Sequence, residues 1–171
     1  MRRQISRSGI EELKAMESVE PYVYPDEAGH QTVGVGHKLT DQELKSGIIV
    51  IDGVEVRWIN GLSSEQIDGL MRQDLSWAER TVSDCVKVPL TDNQFAALVS
   101  LCFNIGSAAF EGSSVVRVLN QGHYHLVPDM MRMWNKITVK VVDYDGVKSL
   151  KKVSQGLKNR REAEVRLWGK P

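Results

Sequence analysis

Apolar residues in this chain recur at helical spacing near its start, alternate in the next stretch, and return to helical spacing for most of the remainder. Ile10, Leu13 and Glu17 fall at i, i+3 and i+7, one stripe of a 3.6-residue helix that Ser8-x-x-Glu11 would open with a capping box. The stripe ends on a carboxylate where an apolar residue is expected. Residues 22–24 and 31–36 then read as the strands of a hairpin, with turn residues at 25–29 between them. A second hairpin is signalled at 48–51 and 54–58 by the Asp52-Gly53 dipeptide. From Ser63-x-x-Gln66, the positions Ile67, Leu70, Met71, Ala78 and Val82 predict a helix to about Asp84. At 1.5 Å per residue it would run about 30 Å, enough to bridge two lobes. Thr91-x-x-Gln94 caps another helix, in which residues 95–103 are apolar almost all round, as in a helix enclosed by others. Gly106 suits a left-handed termination of that helix. Further helices are predicted at about 114–120, 129–135 and 154–168, with an exposed hairpin at 137–142 and Asp145-Gly146 between the last two.

That order of elements, without repeats or low-complexity tracts, predicts an α+β fold that is mostly helical. A small β-rich lobe at about 18–62 would be joined by the 64–84 helix to a larger helical lobe at about 85–171, which also takes residues 1–17. With 171 residues and 42% hydrophobic content the chain can bury a core as one compact unit. Charge balances at 22 against 22 overall, yet residues 130–171 hold 11 Lys and Arg against 4 Asp and Glu, whereas residues 1–50 hold 6 against 8. No nucleic-acid motif accompanies the basic end, so an anionic polymer such as cell wall is the better partner. No run approaches the roughly 18 uncharged residues of a spanning helix, and the basic start leads into no apolar stretch, so the protein is expected to stay in the cytosol where it is made. Cys85 and Cys102 are too few for a disulfide scaffold and fit as buried thiols. His123-x-His125 lacks neighbouring ligands and Gly34-x-Gly36 continues with Leu39, so neither a metal nor a nucleotide cofactor is expected.

Three polar side chains carry candidate chemistry. Partial burial of Glu17 would disfavour its ionised form, the condition for a proton donor. Asp26 supplies a second carboxylate in the adjoining turn. If residues 31–36 alternate as one strand, Thr32, Gly34 and Gly36 share a nearly bare face against which a sugar ring would fit. An acid, a second carboxylate and a hydroxyl over glycines describe a site for glycosidic-bond hydrolysis. Asp74 interrupts the apolar stripe of its helix, and a buried carboxylate needs a partner.

Glu17-(x8)-Asp26-(x5)-Thr32, within Tyr24-x-Asp26-x-x-Gly29-x-x-Thr32-Val-Gly-Val-Gly36-His37, resembles the active-site signature of the phage-type lysozymes, the endolysins of tailed bacteriophages. The likeness continues through Leu90-Thr91-x-x-Gln94, Phe103-Asn104-x-Gly106, Phe110-x-x-Ser113, Leu119-Asn-x-Gly122, Trp134-Asn135 and Gly156-Leu157-x-x-Arg160-Arg161, in the family's order. The resemblance implies a lysozyme-like two-lobed fold and a cofactor-free, monomeric muramidase acting on the peptidoglycan glycan strand. It implies Glu17 as general acid and Asp26 as base on a water held by Thr32, with inversion preferred and retention through Asp26 left open. It places His37 against Asp74 as a structural pair. It carries Arg160 toward Glu17, with Arg161 competing for that place on the same stripe, and lines the cleft with Gly34, Gly36, Phe103, Asn104 and Ser113. For Phe103 a core position is an equal alternative. Release to the wall would depend on a separate holin-like protein. A lytic transglycosylase and a non-catalytic wall-binding module are the competing readings.

Overall fold

A computed structural model describes residues 3–26 and 29–171; Glu27 and Ala28 of the expected first turn, and Met1 and Arg2, lie outside them. In chain order the elements are α1 (Arg7–Met16), β1 (Glu20–Pro25), β2 (Gln31–Gly34), β3 (His37–Lys38), α2 (Asp41–Ser46), β4 (Ile48–Ile51), β5 (Val54–Arg57) and α3 (Ser64–Cys85). They continue as α4 (Asp92–Ile105), α5 (Ser107–Glu111), α6 (Ser114–Asn120), α7 (Val127–Arg132), β6 (Lys136–Asp143), β7 (Gly146–Val153) and α8 (Gln155–Trp168). Short 3-10 turns at Trp58–Asn60 and Tyr124–Leu126 complete the described elements. The fold is α+β and mostly helical. The chain divides inside α3 into two units, one of Gln4–Glu79, the other of Arg80–Pro171 with Arg3.

The first unit is built on α1, α2, strands β1 to β5 and the first part of α3. Ser6, not Ser8, caps α1: its extended backbone and a hydroxyl accepting from the Gly9 N–H at 3.1 Å start the helix two residues ahead of the expected box. α1 groups with this unit rather than with the later helices, because its inner face is tied to α3. Ile10 and Leu13 are buried, Lys14 Nζ lies 2.7 Å from Asp68, and the Ile5 N–H donates to Glu79 Oε1 at 2.9 Å.

β1, β2 and β3 form an antiparallel sheet in that order, and β4 pairs with β5. The 31–36 stretch is not one strand. Gly34 (φ 68°) and Gly36 (φ 78°) turn the chain, so that Val33 pairs with His37 and Thr32 with Lys38. Positive φ is what glycine supplies at low cost there, and a side chain at Gly34 would point at Ile67 and Leu70 of α3. The glycines therefore serve a turn, and the bare face expected of a continuous strand does not form.

The helix α2 breaks no rule of the sequence but went unread in it: Thr40 and Glu43 make a reciprocal capping box and Gly47 ends the helix at φ 72°. At the β4–β5 turn Asp52 and Gly53 both take positive φ, 51° and 80°, as a two-residue hairpin loop requires. That hairpin is no ornament, since Ile49 and Ile51 face inward and join Val33, Leu39, Leu62, Ile67 and Leu70 in the unit's core.

The second unit centres on α4. Residues Phe95 to Cys102 are all buried, fitting the all-round apolar run, and Thr91 and Gln94 form the expected capping box. Gly106 ends the helix at φ 89°, ψ 157°, an extended glycine-only conformation rather than a left-handed helical one. α8 packs on α4, starting with Ser154 as its cap. The predicted 129–135 helix lies two or three residues earlier, as α7, with Pro128 in its first turn. Cys102 is buried and its thiol pushed up to about 12 by burial; Cys85 is half-buried, and both are free. No helix among the described residues is long and apolar enough to cross a membrane.

Candidate active site

Glu17, Asp26, Thr32, His37 and Asp74 fall in the first unit; Phe103, Asn104, Ser113 and Arg160 fall in the second. Glu17 is the residue that ends α1. Its backbone turns extended (φ −121°, ψ 158°) while its N–H still donates to the Lys14 carbonyl at 3.2 Å, and its side chain is half-buried. It continues the stripe begun by the buried Ile10 and Leu13, so the helix fixes where the carboxyl starts.

Cross-strand register assembles the rest. Tyr24 of β1 opposes Thr32 of β2, which opposes Lys38 of β3, so these three side chains form one row on one face. Asp26 lies two residues beyond Tyr24, and Lys38 Nζ approaches its Oδ2 at 3.2 Å, which holds that carboxylate on the Thr32 face. The His30 backbone N–H donates to Asp26 Oδ1 at 2.8 Å and the His30 ring Nδ1 stands 3.3 Å away. These contacts help fix Asp26, which keeps 20% of its side chain exposed. Thr32 is buried and its hydroxyl donates to the His30 carbonyl at 3.0 Å. With its one proton spent there, the oxygen's remaining role toward a neighbour is to accept.

Tyr24 reports on the surroundings. Burial pushes its phenol up, and the fields of Glu20, Asp26 and Glu17 push the same way. Both candidate carboxylates are therefore near enough to one tyrosine to act on it electrostatically.

His37 pairs with Asp74, as the resemblance implied, with Nδ1 2.9 Å from Oδ2 and 3.0 Å from Oδ1. The expected pair has a third member. Glu43 Oε2 lies 3.4 Å from Nε2 and also accepts from the Thr40 N–H at 2.8 Å. Burial alone would lower the His37 pKa, but the Asp74 hydrogen bond and the fields of Asp74 and Glu43 outweigh it and leave it raised. Burial likewise works against the Glu43 charge, and the Thr40 hydrogen bonds and His37 outweigh it, leaving that carboxyl lowered. The histidine's contribution is fully present below its ordinary 6.5 and is lost as pH rises through the raised value. The Glu43 contribution is present above its ordinary 4.5 and is lost as pH falls through the lowered value. His37→Ala is therefore expected to destabilise by about 1.5–3 kcal/mol near pH 5.5 and by progressively less at alkaline pH. Paired denaturant titrations across pH check this; a penalty that does not change with pH would show that His37 stabilises by packing alone.

The second unit's candidates have visible structural duties. Ser113 is buried and caps α6, accepting from the Val116 N–H at 3.3 Å. Phe103 is half-buried. Asn104 Oδ1 accepts from Arg161 Nη2 at 2.9 Å. Arg161 is 1% exposed, paired to the fully buried Glu164 at 2.8 Å, and donates to the Trp134 carbonyl at 3.3 Å. Arg160 is half-buried with Nε 3.6 Å from Glu164 Oε1. Arg161 is thereby placed in the interior of its own unit.

Four residues of these networks escaped the sequence reading. Lys38 was hidden because its pairing with Thr32 exists only once the glycines turn the chain. His30 sits four residues after Asp26, a spacing with no fixed meaning in a loop. Glu43 was legible as the third residue of a Thr40 capping box. Glu164 follows Arg161 by three on one helix, a spacing that reads equally as a surface pair.

Comparison with known proteins agrees with the signature and the fold. Residues 14–164 match the family model described as Phage lysozyme. The endolysin of Salmonella phage P22 is 38% identical over 135 residues, covering 78% of this chain and 84% of that protein. Among solved structures, the endolysin from Escherichia coli O157:H7 phage FAHEc1 superposes with a TM-score of 0.77 at 32% identity, covering 99% of this chain and 95% of that one. The muramidase domain of SpmX from Asticaccaulis excentricus gives 0.73 at 31% identity, covering 99% and 100%. The chain belongs to the phage lysozyme family of peptidoglycan-lytic enzymes.

Proposed function

We propose that this chain is an endolysin muramidase that hydrolyses the β-1,4 bond between N-acetylmuramic acid and N-acetylglucosamine. Glu17 gives its proton to the glycosidic oxygen as the bond to the anomeric carbon breaks, and Asp26 takes a proton from the water that attacks that carbon. The observation that carries the reading is the single row of Tyr24, Thr32 and Lys38, with Asp26 held on its face and Tyr24 inside the fields of both carboxylates.

The orientation of Thr32 supports the water's role. A hydroxyl already donating to the His30 carbonyl accepts one proton of a water whose other proton goes to Asp26, leaving that water's lone pairs for the sugar. This arrangement inverts the anomeric centre. In this reading the enzyme acts as a monomer and reaches the wall after a separate membrane-permeabilising protein opens the way.

Digestion of purified sacculi with product analysis tests the proposal. New reducing ends with inverted configuration are expected, and Asp26→Asn should lower their release by about 10²–10⁴-fold. Anhydromuramic ends would instead establish a lytic transglycosylase, and a retained anomer would make Asp26 the nucleophile and remove the water from Thr32. Binding to sacculi without any release would identify a wall-binding module.

A further inference from the structure

The 136–153 hairpin is used by nothing described so far. β6 and β7 pair along eight residues each, from Lys136 opposite Val153 to Asp143 opposite Gly146. Among the described residues neither strand packs substantially on any element but the other. A lone two-stranded ribbon is marginal in water, so a surface this long invites a partner.

Register sorts its side chains, since paired residues share a face. One face carries Ile137, Val139, Val141 and Leu150, bordered by Lys148 and Lys152. The other carries Lys136, Thr138, Lys140, Ser149 and Lys151, with valines toward its two ends. The tip holds Tyr144, fully exposed, between Val142 at 76% and Val147 at 65%. Five lysines stand against Asp143 and Asp145, a net charge of +3 over the ribbon, and Asp145 lies 3.4 Å from Lys148.

We propose that this hairpin is a docking surface for an anionic lipid bilayer. The pairing of one aliphatic face with a lysine-rich border and a tyrosine tip matches an interface that is apolar just beneath a layer of negative headgroups. There the aliphatic face enters the acyl boundary, the lysine stems lie along it with their ammonium groups outward, and tyrosine sits at headgroup level. A second copy of the ribbon fits poorly, because two +3 ribbons repel and lysines guard their edges. A hydrated glycan strand offers nothing to four aliphatic side chains on one face. The docking would hold the enzyme at the membrane that adjoins its substrate, and it stands whether or not Glu17 and Asp26 act as described.

Vesicle sedimentation of the full chain tests this, with phosphatidylglycerol-containing vesicles beside pure phosphatidylcholine vesicles. Two exposed-surface variants serve: Lys148→Gln/Lys152→Gln for charge and Val141→Ser/Leu150→Ser for the aliphatic face. Binding is expected on the anionic vesicles only, weakened by salt, at least about tenfold weaker in the charge variant and reduced in the aliphatic one. Sugar release from isolated sacculi should be unchanged in both. Absence of vesicle binding, equal binding to neutral vesicles, or variants that bind like the wild type would each overturn the proposal. So would variants that lose sacculus binding with no vesicle effect, which would make the hairpin a wall contact.

Discussion

Glu17→Gln is expected to reduce release of wall fragments by about 10²–10⁴-fold, the range over which a positioned general acid contributes, while leaving stability within about 0.5 kcal/mol. The substitution keeps the side chain's shape and removes its charge and its ability to deliver a proton. The N–H that closes α1 onto Lys14 belongs to the backbone of residue 17, Ile10, Leu13 and the Lys14–Asp68 contact anchor the helix, and the glutamine amide keeps a carbonyl oxygen that can still accept hydrogen bonds. The loss should depend on the leaving group. A muramyl glycoside whose leaving phenol is already acidic needs no protonation, so its hydrolysis should suffer far less in this variant than hydrolysis of wall glycan. Equal losses on both substrates, or appreciable activity on sacculi, would take the acid's role from Glu17.

The parts of this molecule that were legible in its sequence are those specified by short-range rules. Capping boxes at Ser63 and Thr91, the all-round apolar run of α4 and the Asp52-Gly53 turn each determine a local conformation, and each element appears. Asp74 was readable for a different reason, as a charge on an apolar stripe that demands a partner, and His37 meets it. What failed was extrapolation of a period. Residues 31–36 alternate in composition, yet Gly34 and Gly36 allow a reversal that valines at those positions would resist, and the reversal brings Lys38 beside Thr32 and Asp26. The Ser8 cap failed because Ser6 also precedes a residue with a usable N–H by three positions, and it is Ser6 whose hydroxyl accepts from Gly9. Arg160 and Arg161 were inseparable for a similar reason: adjacent residues on a helix differ by about 100° in direction, and the interior to which one of them points belongs to tertiary structure.

That interior supports the second large effect. Arg161→Met is expected to destabilise the protein by about 3–5 kcal/mol, the usual result of removing one member of a buried ion pair. Arg161 is 1% exposed and Glu164 fully buried. Burial pulls the guanidinium down from its ordinary value and pushes the carboxyl up, and each group's field on the other opposes these shifts. Without Arg161, Glu164 keeps the Ser100 hydroxyl at 2.8 Å and Arg160 at 3.6 Å, which leaves a buried carboxylate short of its main counter-charge. At roughly 2–4 °C per kcal/mol for a chain of this size, melting should fall by about 6–20 °C. The double variant Arg161→Met/Glu164→Leu should recover much of that loss, because it takes both charges of the pair out of the interior and Asn104 can turn to water; the Ser100 hydroxyl, which loses its acceptor, and Arg160, which loses its neighbour, account for the part not recovered. Catalysis separates this account from the alternative that the sequence allowed. If Arg161 held Glu17 in place, the single variant would lose rate at unchanged stability; held instead between α4 and α8, it should melt early yet turn over sacculi near the wild-type rate at temperatures where it remains folded. A kinetic defect with no change in melting, or a double variant no more stable than the single one, would overturn the buried-pair account.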